Sequence, residues 1–169
     1  MKTLWRLLAA IFVAVATDAT APATAAETVI PLPAASTRLA IRAARMIDGR
    51  SERLHGDAVV IVEGERIVAV GGNELLTPGL ETLDLGDATL MPGLIDAHSH
   101  PLITVDDYQT DHLKHSSAYK ALRGLKAVQD NLRAGWTTLR IAGDADVAYA
   151  VTDLRKAIDG GLFLGPRLS

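Results

Sequence analysis

Cysteine is absent from the 169 residues, which excludes disulfides, thiolate zinc sites and cysteine nucleophiles. Aromatic residues make up only 4%, too few for a platform on which bases or sugars stack. Positive charge is not in excess either: 17 Lys and Arg stand against 20 Asp and Glu, for a net charge of −3. Nothing in that balance favours a nucleic-acid partner. The apolar run Leu7 to Ala16, broken by Thr17-Asp18, falls short of the ~20 residues of a membrane span. What is there is apolar enough, at 49% hydrophobic residues, to bury a sizeable core, and the length ordinarily holds one domain.

Residues 1–26 read as a secretory signal peptide. Lys2 and Arg6 give the positive start, Leu7 to Ala16 the apolar core, and Ala23-Thr24-Ala25 a small-residue cleavage site. The expectation is an exported protein, periplasmic or secreted, cut near Ala25 or Ala26, with an uncleaved N-terminal anchor as the rival. Loss of Lys2, Arg6 and Asp18 leaves 15 basic and 19 acidic residues, a net charge of −4 and no stable membrane span. Residues 27–37, with Pro31 and Pro33 among small residues, form a flexible lead-in.

From Arg38 to Leu90 the pattern is that of short strands. Leu39 and Ile41 alternate with polar neighbours, and Asp48-Gly49 marks a turn. Ala58 to Val62 and Ile67 to Val70 are β-branched runs joined by Glu63-Gly64-Glu65-Arg66, and Leu83 and Leu85 suggest one more strand. A small antiparallel sheet is expected. The arginines Arg38, Arg42, Arg45, Arg50 and Arg53 read as a solvated face, and His55 as a surface residue.

The chemistry lies in Met91 to Pro101, Met-Pro-Gly-Leu-Ile-Asp-Ala-His-Ser-His-Pro. Pro92-Gly93 turns into a short buried strand, and Pro101 ends it. Side chains on a strand alternate, so Asp96, His98 and His100 share one side while Ala97 and Ser99 take the other. Two imidazoles at one strand end suit zinc or another borderline transition metal, and Asp96 is placed to fix a histidine tautomer as an outer partner. On spacing alone, two satisfied histidines at a strand end are as good a reading.

Beyond this strand, Thr104 to Ser117 reads as a long loop in which Tyr108 and His112 are candidate substrate contacts; His112 and His115 lie three apart, a weak metal pair. Ala118, Leu122, Leu125, Val128 and Leu132 give a helix stripe that ends at Gly135. Trp136 to Ile141 is a strand with Trp136 in the core. Asp144 or Asp146 then caps a helix whose inner stripe is Val147, Val151, Leu154 and Ile158, closed by Gly160-Gly161. Strand, helix, strand, helix is the unit of an α/β fold with a parallel sheet.

The run Pro92 to His100 resembles the first barrel strand of the metal-dependent amidohydrolase superfamily. Ala134-Gly135-Trp136-Thr137-Thr138-Leu139-Arg140 resembles its second strand, and Leu154 to Ile158 through Gly165-Pro166-Arg167 resembles the segment next in order after that strand. The resemblance is to the imidazolonepropionase-like and Xaa-Pro dipeptidase-like branch, over roughly Arg38 to the end. It implies the start of an eight-stranded β/α (TIM-like) barrel in residues 91–169, preceded by a β-sandwich subdomain begun in residues 38–90. It also implies hydrolysis of an amide, cyclic amide or peptide bond in a small-molecule or dipeptide-like substrate by a metal-bound hydroxide, with one or two divalent ions, zinc foremost. His98 and His100 match the first two metal ligands. The branch usually runs Thr-Val-Arg-Asp in its second strand, whereas here Arg140 precedes Ile141 and acids return at Asp144 and Asp146. Arg140 is left as a loop-orienting residue or one half of an ion pair.

Only 77 residues run from Gly93 to Ser169, against roughly 200–250 for a whole barrel. The chain therefore reads as an incomplete barrel, an N-terminal fragment without the general base and later ligands, inactive alone and with an open strand edge. A noncatalytic exported protein that binds metal or a partner, and a dihydroorotase-like or deaminase-like member of the superfamily, stand as alternatives. A homo-oligomer stays open.

Overall fold

A computed structural model describes residues 11–14, 38–144, 146 and 148–169. Most of the leader, the proposed cleavage site, the lead-in and Val147 lie outside the described residues. The chain divides at Pro92/Gly93 into two compact units.

The first unit holds one six-stranded sheet in the order β1-β6-β2-β3-β4, with β5 also on β2. The strands are β1 (Ile11–Ala14), β2 (Arg38–Ile47), β3 (Leu54–Glu63), β4 (Arg66–Gly71), β5 (Glu81–Asp84) and β6 (Thr89–Pro92). β2 and β3 form an antiparallel hairpin whose turn is held by Asp48, which accepts from the amides of Arg50 and Ser51 at 2.8 Å. Gly64, at φ +59°, turns β3 into β4. The expectation of an antiparallel sheet needs correction, because β5 and β6 both run parallel to β2. Each returns to the free edge of β2 after the chain has crossed over, β5 beside its first half and β6 beside its second. The described strands of this unit belong to a single sheet, so the second layer of a sandwich is not found among them.

Both faces of β3 are covered, which is why Ala58 to Val62 is an unbroken apolar run. Ala58, Val60 and Val62 pack with Leu39, Ile41 and Leu90 on one face, while Val59 and Ile61 pack with Ala40, Leu75, Leu76 and Leu80 on the other. The arginines alternate with these along β2 and meet acids: Arg38 with Glu63 at 2.8 Å, Arg42 with Asp84 at 2.8 Å and Arg45 with Asp87 at 2.6 Å. His55 likewise sits 3.2 Å from Asp48.

The second unit is a parallel sheet in the order β7-β8-β9, from β7 (Leu94–Ser99), β8 (Trp136–Ile141) and β9 (Arg167–Leu168). Between the strands lie α1 (Tyr108–Lys114), α2 (Ser117–Arg133) and α3 (Ala150–Asp159). Its core joins Val128 of α2, Leu139 of β8, Leu154 of α3 and Leu168 of β9, with Trp136 packed against them. Ser116 caps α2 through its hydroxyl and Gly135, at φ +96°, releases the chain into β8. Among the described residues no helix is long and apolar enough to cross a membrane.

Three local expectations change here. Thr104 to Ser117 is not all loop, because Asp107 accepts from the Thr110 amide and starts the seven-residue α1. The inner face of α2 is Lys120, Gly124 and Val128, whereas Ala118 and Leu122 point outward, Leu122 at 66% exposure. The helix is turned by the close seat of Gly124 on Leu102 and by burial of Lys120 in an ion pair. Lastly, β7 is not a buried strand: Ile95 is 68% exposed, since β7 pairs only with β8 among the described residues.

Candidate metal centre

His98 lies in β7 and His100 directly after it, at the C-terminal end of the first parallel strand, where β/α folds carry their sites. The strand period brings the two side chains together. Their Nε2 atoms are 3.1 Å apart, with the rings at 71° to each other. The buried Ser99 between them faces the opposite way. Its carbonyl accepts from the Ala142 amide at 3.1 Å, which ties this strand end to the segment after β8.

That segment supplies what the sequence pattern does not show. Nδ1 of His100 bonds the carbonyl oxygen of Gly143. A carbonyl only accepts, so Nδ1 carries the proton and Nε2 keeps its lone pair. This is the tautomer and orientation a metal-binding histidine requires, and a backbone carbonyl is a common means of fixing it. Asp96 does not perform that task. Its Oδ1 accepts from the His98 amide at 3.0 Å, a local turn-like bond within the strand, and no bond joins it to either ring. The sequence shows at this point only a glycine two residues after a strand, which the structure places at φ +118°.

Next to Gly143, Asp144 accepts from the Leu102 amide at 2.9 Å through Oδ1, while its buried Oδ2 has no hydrogen-bond partner among the described residues. Burial pushes the Asp144 carboxyl up from its ordinary value, against the pull of the Leu102 amide. Asp146 is the opposite case. Burial works to raise it, but Lys120, Ser117 and the amides of Ala150 and Ala148 together hold its carboxyl well below the usual carboxylate range.

The other candidate residues stay apart from this pair. Tyr108 begins α1 and is exposed. His112 accepts at Nδ1 from Lys120 Nζ at 2.9 Å, and His115 lies 3.5 Å from Asp111, so those two histidines do not form a pair of ligands. Arg140 is exposed on β8 and forms no ion pair among the described residues.

The donor set partly fits a divalent metal. Two imidazole nitrogens 3.1 Å apart are both within reach of one ion at the zinc–nitrogen distance of about 2.0–2.1 Å, and the His100 tautomer suits the task. Among the described residues, however, no group of three or more His, Cys, Asp or Glu side chains gathers to hold an ion. A catalytic zinc site needs a third protein ligand.

The second unit is thus a parallel β/α layer with two convergent imidazoles at the end of its first strand. No family model matches the chain. Its sequence is 40% identical over 53 residues to an imidazolonepropionase of Fusobacterium nucleatum, covering 29% of this chain and 13% of that protein. It is 35% identical over 82 residues to a dihydroorotase of Mycobacterium leprae, covering 47% of this chain and 19% of that one. Its fold matches the crystal structure of a prolidase complexed with N-methylphosphonate-L-proline, with a TM-score of 0.67 and 30% identity over 78% of this chain and 31% of that chain. In sequence and in fold the chain resembles the amidohydrolase superfamily, and it spans less than a third of each of these relatives.

Proposed function

We propose that this chain provides the first two metal ligands of a hydrolase that cleaves C–N bonds in a small amide, cyclic amide or dipeptide-like substrate. The convergence of His98 and His100, with Gly143 holding the His100 tautomer, carries the reading. His98 and His100 hold the ion, and Gly143 keeps the Nε2 lone pair of His100 directed at it. A divalent ion, zinc foremost, supplies a Lewis acid and a water of pKa about 7 when bound. Proton transfer to the leaving nitrogen calls for a carboxylate that the described residues do not bring to the pair.

We further infer that the protein works outside the cytoplasm, from the leader pattern of Lys2, Arg6, Leu7 to Ala16 and Ala23-Thr24-Ala25. Cleavage near Ala25 removes β1 and leaves β6 paired with β2. N-terminal sequencing of the exported protein, starting at Ala26 or Glu27, is the matching result; Met1 at the N-terminus refutes it.

The test of activity uses the gene product purified from its own host, offered Xaa-Pro dipeptides, N-acyl amino acids, dihydroorotate and imidazolonepropionate, with and without a chelator. Metal-dependent release of one product, lost in His98→Asn and His100→Asn, supports the reading. Dihydroorotate turnover alone moves the protein to the dihydroorotase-like alternative. Zinc binding through His98 and His100 with no hydrolysis of any substrate favours the noncatalytic metal-binding alternative.

A further inference from the structure

Lys120 and Asp146 form an ion pair at 2.7 Å in which both side chains are only 3% exposed. Burying two charges costs more than an ordinary helix contact returns, so a pair this dry is better explained by the placement it enforces than by stability. Its bonding is extensive. Asp146 Oδ1 also accepts from Ser117 Oγ at 2.6 Å, and Oδ2 accepts from the amides of Ala148 and Ala150 at 3.0 Å. Lys120 in turn reaches His112 of α1. One carboxylate thus ties the segment after β8 to the start of α2 and the start of α3.

That segment is the one that carries Gly143. The direction of a peptide carbonyl is set by the backbone on both sides of it. Before Gly143, β8 and the Ala142 amide bonded to Ser99 hold the chain. Gly143 itself, at φ +118° and with no side chain to pack, offers no local restraint. After it, the holding points are Asp144 on the Leu102 amide and Asp146, whose amide donates to the Asp144 carbonyl at 2.8 Å.

We infer that Lys120, Ser117 and Asp146 are positioning residues for His100: they clamp the far end of the segment whose Gly143 carbonyl fixes the His100 tautomer. The ring bonds of His98 and His100 among the described residues are to each other and to Gly143. The role presupposes that His100 is a ligand, and the experiment separates failure of that premise from failure of the clamp.

Two variants test it, Asp146→Asn, which keeps the shape and removes the charge, and Ser117→Ala, which removes a single hydrogen bond and leaves the ion pair. Leu168→Ala, in the core of the same unit, serves as a control for simple loss of stability. The first readout is the tautomer of His100 in metal-free protein, by two-bond 15N–1H NMR at pH 8. The second is zinc affinity by competition with a chelating dye. The clamp predicts that Asp146→Asn converts His100 from the Nδ1–H form to a mixture and weakens zinc binding about 10- to 100-fold, the range for loss of an outer partner of a ligand. Ser117→Ala moves both in the same direction by a smaller factor, and Leu168→Ala moves neither. If both variants keep the parent tautomer and affinity, Asp146 merely starts α3 and the clamp is refuted; should Asp146→Asn fail to fold, Ser117→Ala decides alone. If His98→Ala and His100→Ala leave zinc affinity unchanged, the metal reading falls, and the tautomer alone decides the clamp.

Discussion

Thr137 stands where a side chain on Gly93 would have to be: a Cβ built on Gly93 lies 2.1 Å from Thr137 Oγ1 and 2.7 Å from Thr137 Cβ. The two residues sit at the starts of β7 and β8, where the Leu94 amide donates to the Gly135 carbonyl at 2.9 Å. Thr137 is buried and cannot swing away. Gly93→Ala is therefore expected to cost about 3 kcal/mol by urea denaturation, at the upper end of overpacking penalties. In a double-mutant cycle, Thr137→Gly, destabilising alone, should be less so in the Gly93→Ala background. Additive costs would mean that the contact is not tight.

Gly124 makes a similar seat on the face of α2. A Cβ there meets Leu102 Cδ2 at 2.6 Å and the Pro101 carbonyl oxygen at 3.3 Å. Alanine in a helix interior is worth about 1 kcal/mol over glycine, and overpacking costs about 1–3 kcal/mol. Leu102 is itself buried at 2% exposure, so the second effect wins, and Gly124→Ala is expected to lose about 1 kcal/mol. A variant more stable than the parent would show that Leu102 has room to move.

These two glycines mark what was and was not legible. In the second unit the order of β7, α2, β8 and α3 was readable from apolar period and glycine punctuation, whereas the seven-residue α1 was read as loop. The histidine pair was readable too, since the strand period alone puts residues 98 and 100 on one side. The inner face of α2 was not. Leu122 looks like a core residue in any periodic count, yet the helix is turned by a glycine that fits close and a lysine neutralised in place, and neither registers as apolar. The parallel pairing of β5 and β6 on β2 escaped for a different reason: strand direction depends on the path between strands, about which short alternating segments say nothing. Gly143 escaped because its contribution is a backbone carbonyl, which every residue owns.

Asp146 and Asp144 should give opposite responses to acid. The folded-state carboxyl of Asp146 lies below its ordinary value of 3.8, so its contribution is fully present above pH 4 and is lost as pH falls through the folded-state value. The Asp144 carboxyl lies above 3.8, so its ionised form weighs against the fold at neutral pH, and that burden lifts as pH falls through the raised value. Asp146→Asn is expected to flatten the loss of stability below pH 4. Asp144→Asn should steepen the decline on acidification by removing the compensating gain. Thermal melts from pH 7 to pH 3 read both slopes, and equal slopes for the two variants would contradict the assignment.

The number of ligands decides what the 169-residue chain can do by itself. His98 and His100 are two nitrogen donors 3.1 Å apart, and no group of three donors gathers among the described residues. Two imidazoles leave half of a tetrahedral shell to water, whereas catalytic zinc sites keep three protein ligands and one open position. The isolated chain is therefore expected to bind zinc weakly, and His98→Ala or His100→Ala should each lower that affinity by at least about 10-fold, a loss no smaller than that from removing an outer partner. Cobalt substitution supplies a second reading, with absorption changes that disappear in either variant. Turnover of amide or dipeptide substrates should stay at the buffer background with zinc present, because a weakly held ion without a positioned proton carrier lacks the third ligand and the carboxylate that hydrolysis needs. Zinc-dependent hydrolysis by the purified monomer, abolished in both variants, would mean that a third donor comes from residues outside those described.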